Sequence, residues 1–374
     1  MAERIPVRED LAGAVPYGAP QLDVPVRLNT NETPYPPPAA FYEQLAKCLA
    51  DVNFHRYPDR QVWALRTGLG ERFGLPPQRV WAAKGSNEVL LQLLQAYGGP
   101  GRRLLLFRPG YSMYPLLART TLTETVEVDL DAGLRLDPRA ARTAVTAHRP
   151  DLVFVASPNN PTGIPVGLET VRALHDAGDA LVLLDEAYVE FAPAGQDASA
   201  VTLLGRLPRL VVCRTFSKAW RLAGARLGYL LAHDWVIDDL RKVRLPYHVD
   251  ALTQAVGLVA LELADEVTAH VAEIAAERER LRAALAAVDG VEVYESAANF
   301  LLLRTGVADL FDRLLERGVL VRDFSHLPRL EGCLRVTVGT PQENNAFLAA
   351  LREAMRSAQR AIPVPEGPVP EGSG

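Results

Sequence analysis

The sequence contains only four lysines, Lys47, Lys84, Lys218 and Lys242, and nearly all its other positive charge is arginine. Chemistry that needs an amine nucleophile therefore has few places to reside. Lys218 lies in Thr215-Phe216-Ser217-Lys218-Ala219-Trp220, directly after the apolar run Arg209–Arg214. A lysine in a loop at a strand end can be desolvated, which lowers its pKa and frees the amine to attack an aldehyde. Thr215 and Ser217 offer hydroxyls, and Arg226 a guanidinium fork, to a phosphate group. Taken alone, the segment fits a Schiff-base platform and an ordinary solvated loop lysine equally well. Lys47, among polar neighbours in a helix, and Lys242, in the charged helix end Arg241–Arg244, read as surface. Lys84 precedes a glycine turn and stays open as a candidate, although no hydroxyl–arginine set accompanies it.

Other segments could complete such a site. Asp185 ends the apolar run in Leu183-Leu184-Asp185-Glu186-Ala187-Tyr188, where a carboxylate could pair with a protonated pyridine nitrogen and keep the ring an electron sink. Tyr188 could donate to a phenolate oxygen on that ring, and Asn160, in the turn Ser157-Pro158-Asn159-Asn160-Pro161-Thr162-Gly163, could place its amide on the same oxygen. The bland alternatives are a metal-binding pair or helix cap for Asp185-Glu186, and common turn chemistry for the asparagine segment. In Gly85-Ser86-Asn87-Glu88, small polar residues before a helix expose N-terminal N–H groups suited to an anion; simple N-capping by Ser86 is the alternative. Tyr111, in Pro109-Gly110-Tyr111-Ser112-Met113-Tyr114, could stack on a flat ring. Arg335 interrupts the apolar strand Leu334–Val338, and Arg322 follows Val321; each is either a paired core charge or a ligand for an anionic substrate group, with Asp323 a possible neutraliser of Arg322.

Several classes are excluded. Gly68-Leu69-Gly70-Glu71-Arg72-Phe73-Gly74 has the wrong spacing for a dinucleotide fingerprint and falls within a helical pattern. The seven histidines are dispersed without a ligand-like spacing, so no metal is expected. A net charge of −5 without a basic stripe argues against nucleic acid and membrane surfaces. Residues Met1–Asp10 do not read as a signal peptide, and Cys48, Cys213 and Cys333 lie far apart without CxxC spacing, as in a reduced cytoplasmic protein.

These groups need a frame that brings loop residues to one edge. Short apolar runs at Val80–Ala83, Arg103–Phe107, Thr125–Val128, Asp151–Ala156, Ala180–Leu184, Arg209–Arg214 and Leu227–Ala232 do not alternate with polar residues, and helical patterns separate many of them. They predict an α/β layered domain whose mostly parallel sheet is buried on both faces and binds ligands at the carboxyl ends of its strands. From Asp250 to Val288 the texture turns helical; strands at Ala298–Leu303, Val319–Val321 and Leu334–Val338 with two further helices predict a smaller α+β lobe. The expected organisation is an N-terminal arm joining the small domain (1–38), a large domain (39–248), a small domain (249–358), and a Pro/Gly-rich tail without fixed structure (359–374).

In order, SPNNPTG, LLDEAY, TFSKAWRLAGARLGY and LRVTVGT resemble the signature of fold-type I aminotransferases that use pyridoxal 5'-phosphate, over roughly residues 25 to 355. Within that group the chain is most similar to the histidinol-phosphate aminotransferase family, through Pro16-Tyr17, Leu28–Glu32, Arg56–Asp59 and Val321–Asp323. The resemblance implies a cytoplasmic homodimer in histidine biosynthesis that exchanges an amino group between glutamate and imidazole acetol phosphate. It implies that Lys218 binds the cofactor covalently and moves the substrate proton. Asp185 would meet the pyridine nitrogen, Asn160 and Tyr188 the phenolate oxygen, and Tyr111 the ring face. Ser86, Asn87, Thr215, Ser217 and Arg226 would hold the phosphate, together with Tyr57 from the partner subunit. Tyr17, Arg322 and Arg335 would bind substrate, Arg335 taking the α-carboxylate. Thr33 and the Phe324–Glu331 loop depart from the family pattern near the substrate end, so they bear on specificity. On the same scaffold, an aromatic or broad-specificity aminotransferase and a threonine-phosphate-type decarboxylase are the alternatives; a cofactor-sensing regulator would need a DNA-binding module before Asn29.

Overall fold

Consecutive apolar residues along a strand point to opposite faces of its sheet, so an unbroken apolar run needs cover on both sides. The computed structural model, which describes residues 5–14, 16–193 and 199–360, supplies that cover. Seven strands form the main sheet, in the order Val80–Ala83, Gly228–Leu231, Leu210–Thr215, Leu181–Asp185, Leu152–Ala156, Arg103–Arg108 and Glu124–Asp129. Gly228–Leu231 runs antiparallel to both of its neighbours, Val80–Ala83 and Leu210–Thr215, and the other pairs in the sheet are parallel. Leu105, Val153, Val155, Val182 and Leu184 enter the core on one face, while Leu104, Leu106, Phe154, Leu181 and Leu183 enter the core on the other. Each fully buried side chain of this kind contributes about 1.5–3 kcal/mol.

The expectation of strands buried on both faces fails at one edge. The strand Glu124–Asp129 is partly exposed, and Glu124, Glu127 and Asp129 pair with Arg103 and Arg108 of its only neighbour. Charged side chains on an edge strand discourage pairing with another chain.

The small lobe is a four-stranded antiparallel sheet ordered Arg322–Asp323, Cys333–Thr337, Phe300–Thr305 and Val291–Val293. Helices Leu310–Glu316 and Pro341–Arg360 cover it around Leu301, Leu303, Val336, Phe347 and Leu351. The N-terminal arm joins this lobe through Val26–Arg27, which pairs in parallel with Val319–Leu320.

Two boundaries move. The helical stretch after His248 divides into Ala251–Glu262, Ala264–Thr268 and Val271–Ala286. The first of these packs on helices Ala39–Ala50 and Trp63–Phe73, and Val259, Ala260, Ala264 and Val267 lie in the core of the large lobe. The lobes therefore part within Val271–Ala286, where Ile274 belongs to the large core and Leu281 and Leu285 to the small one. Residues 359 and 360, expected in the tail, extend the last helix, and 361–374 lie outside the described residues.

Candidate active site

Because most strands of the main sheet are parallel, their carboxyl ends share one edge, and the loops leaving them converge there. Asp185 is the last residue of its strand; Lys218 follows its strand by three residues, Asn160 by four and Tyr111 by three. Ser86 and Asn87 open helix Ser86–Tyr97 after strand Val80–Ala83. All of them line a single cavity of about 260 Å³ between the sheet edge, the N-terminal arm and the small lobe, as do Tyr188, Thr215, Ser217, Arg226, Tyr17, Arg322 and Arg335. Tyr57 does not. It is 80% exposed and stacks on Tyr247, with centroids 4.3 Å apart, outside the cavity of its own chain.

One end of the cavity is built for an anion. Ser86 does not cap its helix: the N-cap position is Gly85, at φ 86°, with no side-chain cap, and while Glu88 N–H reaches Gly85 O (3.2 Å), the N–H groups of Ser86 and Asn87 have no backbone acceptor among the described residues. A side chain at position 85 would reach within 2.8 Å of Arg226 Nη2. Arg226 Nη1 donates to Ser217 Oγ (3.4 Å), and Thr215 Oγ1 donates to the same hydroxyl (3.0 Å). Hydroxyls, free helix N–H groups and a guanidinium thus meet at one point.

At the sheet edge, Asp185 is buried and accepts from Tyr114 Oη (3.0 Å) and from the backbone N–H of Ala187 (3.2 Å). Burial pushes its pKa up to about 6; the two donors oppose that shift, and Glu186 adds to it. No cation pairs with Asp185 among the described residues. Glu186 forms no metal pair with it, being engaged by Arg214 (2.8 Å), Ser199 and the N–H of Ala200. Tyr188 Oη accepts from Asn31 Nδ2 (3.1 Å) and from Asn160 Nδ2 (3.5 Å). Tyr111 donates to Asn87 Oδ1 (3.3 Å) and meets Tyr114 edge-on.

The two candidate lysines differ in their partners. Lys84 Nζ is ion-paired with Asp250, the N-cap of helix Ala251–Glu262. Among the described residues, Lys218 Nζ donates only to the carbonyl of Thr30 (3.0 Å). Loss of surrounding water pushes its pKa down to about 8, with Arg335 and Arg226 adding and Glu32 opposing.

The two arginines suggested by the sequence are cross-strand partners: Arg322 stands directly opposite Arg335 on adjacent antiparallel strands. Like charges in that relation repel. Arg335 is buried, donates to Asn160 Oδ1 (2.6 Å) and Asn29 O (2.8 Å), lies over the rings of Phe300 and Phe324, and leaves Nε without an acceptor. Burial pushes its pKa down to about 10. Among the described residues, Arg322 Nη1 reaches only the carbonyl of Gly18 (3.3 Å), beside Tyr17. Asp323 does not neutralise it, since its carboxylate accepts from the N–H of Ser325 instead. Among the described residues neither guanidinium has a carboxylate partner, and both line the cavity, an arrangement that can accept an anion.

A chain with this edge, lysine and carboxylate has relatives. The model of the family Aminotransferase class I and II matches residues 24–351. The chain belongs to the class I and II aminotransferases. This aminotransferase is 47% identical over 360 residues to the histidinol-phosphate aminotransferase of Corynebacterium diphtheriae, covering 93% of this chain and 96% of that protein. It is 48% identical over 363 residues to that of Thermobifida fusca, covering 95% of each. A solved structure of histidinol-phosphate aminotransferase from Sinorhizobium meliloti, in complex with pyridoxal-5'-phosphate, superposes with a TM-score of 0.86 at 25% identity, over 95% of this chain and 99% of that one. The fold is the one that these enzymes share.

The sequence reading gave no role to Tyr114, Asn31 or the carbonyls of Asn29 and Thr30. Asn31, at φ 55°, is held by Thr337 Oγ1 and by Asn299, which accounts for its reach to Tyr188. An asparagine tolerates that left-handed backbone better than most residues, a local signal present in the sequence. Tyr114 offered none, because only the packing of its helix on the sheet brings it to Asp185.

Proposed function

We propose that this aminotransferase binds pyridoxal 5'-phosphate and moves an amino group between L-glutamate and imidazole acetol phosphate, giving 2-oxoglutarate and L-histidinol phosphate, a step of histidine biosynthesis. One observation carries the reading: among the described residues Asp185 has no cation partner, Lys218, Arg322 and Arg335 have no carboxylate partner, and all four line a single cavity. The group that satisfies them has a protonatable ring nitrogen, an amine-reactive carbon and anionic substituents. Pyridoxal phosphate meets these demands. Asp185 would hold its ring nitrogen, Asn160 and Tyr188 its phenolate oxygen and Tyr111 its face; Ser86, Asn87, Thr215, Ser217 and Arg226 would hold its phosphate. The names of the relatives at 47–48% identity support histidinol phosphate as the substrate.

When bound, the cofactor supplies an aldehyde that condenses with amines and a ring that accepts electrons. The chain does the rest. Asp185, kept free of any competing cation, presents a carboxylate to the ring nitrogen. Lys218, with a pKa near 8, has a neutral amine available close to physiological pH; when its Nζ is free it takes the proton from the substrate Cα and returns it to the acceptor carbon. Arg335 and Arg322 orient the anionic end of either substrate. A guanidinium fork accepts both carboxylate and phosphate, as alternating glutamate and histidinol phosphate require.

The same reading makes the molecule a homodimer. Phe54, Tyr57, Leu245 and Leu252 are exposed apolar side chains on neighbouring loops and helix ends, 71%, 80%, 74% and 44% exposed respectively. A second copy seated there would cover them and could carry its Tyr57 to this cavity, completing the phosphate end.

Rapid mixing of the cofactor-loaded protein with L-histidinol phosphate is expected to bleach the cofactor's visible band far faster than mixing with L-phenylalanine, without release of carbon dioxide. Equal rates would favour an aromatic or broad-specificity enzyme, and carbon dioxide a decarboxylase.

A further inference from the structure

Asp185 has two carboxylate oxygens and, among the described residues, two hydrogen-bond donors: the backbone N–H of Ala187 on Oδ1 and the hydroxyl of Tyr114 on Oδ2. We propose that Tyr114 is the positioning residue for Asp185, its hydroxyl fixing the carboxylate's orientation and keeping it ionised so that it can meet a protonated ring nitrogen. The proposal rests on the reading of Asp185 as the partner of that nitrogen.

Tyr114 is almost fully buried in the first turn of helix Met113–Thr120. Its ring meets Phe154 edge-on (5.5 Å, 77°) on one side and Tyr111 edge-on (5.3 Å, 89°) on the other. The ring is wedged, so the hydroxyl has one place to go, 3.0 Å from Oδ2. Burial, and then Asp185 itself, raise the Tyr114 pKa well above its ordinary value, so this group stays an O–H donor throughout the working pH range. An ionised carboxylate only accepts, and a donor that remains protonated favours the ionised form over the neutral one.

The other groups facing Asp185 do not supply this. Glu186, next in the chain, raises its pKa, but is itself held by Arg214. Cys213, directly opposite on the adjacent strand, is buried and has its own pKa raised by burial first and then by Asp185. Tyr188 and Tyr111 feel the charge of Asp185, but their hydroxyls bond elsewhere or accept from Asn31 and Asn160. Without the Tyr114 hydroxyl, a buried carboxylate whose pKa is already raised would take up a proton closer to neutrality and lose the charge that binds the ring.

The test is the dissociation constant of pyridoxal phosphate, titrated from about pH 6.5 to 9 with native protein, Tyr114→Phe, Asp185→Asn and the double variant. Phenylalanine keeps the ring contacts with Phe154 and Tyr111, and the melting temperature of each cofactor-free variant reports that the fold is intact. The Tyr114→Phe defect is expected to be about tenfold or more near pH 6.5 and to shrink toward pH 9, where Asp185 ionises even without its donor. In the Asp185→Asn background, Tyr114→Phe should cost almost nothing more. A defect independent of pH, or of equal size in both backgrounds, would overturn the proposal while leaving Asp185 its role. If Asp185→Asn alone left the affinity unchanged, the reading of Asp185 would fall, and the proposal with it.

Discussion

At Lys218 the surroundings remove water and place Arg335 and Arg226 near the amine, so the cationic form is disfavoured and the pKa falls to about 8. The neutral amine is the nucleophile. Capture of pyridoxal phosphate by the cofactor-free protein, followed by stopped-flow absorbance, should therefore accelerate as pH rises toward 8 and level off above it; below that point the rate should drop about tenfold per pH unit. Lys218→Ala should lose the covalent complex that borohydride traps in the native protein, because Lys84 is occupied by Asp250. Arg335 makes the same argument for geometry. Its fork already spans Asn160 and Asn29 with Nε still unused. Arg335→Lys keeps a charge but cannot bridge both partners and still bind substrate, so kcat/KM for glutamate and for histidinol phosphate should fall about 10- to 100-fold, mostly through KM.

Among the elements, the antiparallel strand Gly228–Leu231 and helix Ser86–Tyr97 meet where a phosphate would lie. A Cβ on Gly228 would lie 2.3 Å from Ser86 N and 2.5 Å from Gly85 C, both backbone atoms that cannot swing aside. Gly228 pairs with Ala83 on one side and Thr215 on the other, so the strand cannot retreat either. Gly228→Ala should cost about 1–3 kcal/mol or more from overpacking, read as a lower melting temperature of the cofactor-free protein. It should also weaken pyridoxal phosphate, because the helix end must move away from Thr215, Ser217 and Arg226. A variant that melts like native protein yet binds cofactor poorly would separate the two effects.

At the scale of the whole molecule, the proposed dimer would bring a second copy's Tyr57 to each cavity. Tyr57 stands on an exposed apolar face, stacked on Tyr247, away from the cavity beside Lys218. In the proposed twofold dimer the same face would be buried on both copies, and each could reach the other's site. Lys218→Ala and Tyr57→Ala proteins should each be impaired alone, and mixing after mild dissociation should restore transamination. In a mixed dimer, one cavity receives Lys218 from one copy and Tyr57 from the other. Absence of recovery in verified mixed dimers would mean that Tyr57 does not complete the partner's site.

Local chemistry settled much of this before any contact was visible. Unbroken apolar runs require a sheet covered on both faces, and residues at strand ends must emerge at its carboxyl edge, so Asp185, Asn160, Tyr111 and Lys218 could be assigned to one place from their positions in the chain. Scarcity of lysine narrowed the nucleophile to two, because an amine is the one side chain suited to an aldehyde there. What the chain order could not contain was pairing between distant segments. The register that sets Arg322 against Arg335, the carboxylate that occupies Lys84, and the hydroxyl of Tyr114 on Asp185 join residues tens to more than a hundred positions apart, except for the thirteen that separate the two arginines. The lobe boundary moved for the same reason. Helix Ala251–Glu262 reads as helix from its own residues, but the lobe it serves depends on which apolar face it covers, and burial is a property of the folded whole.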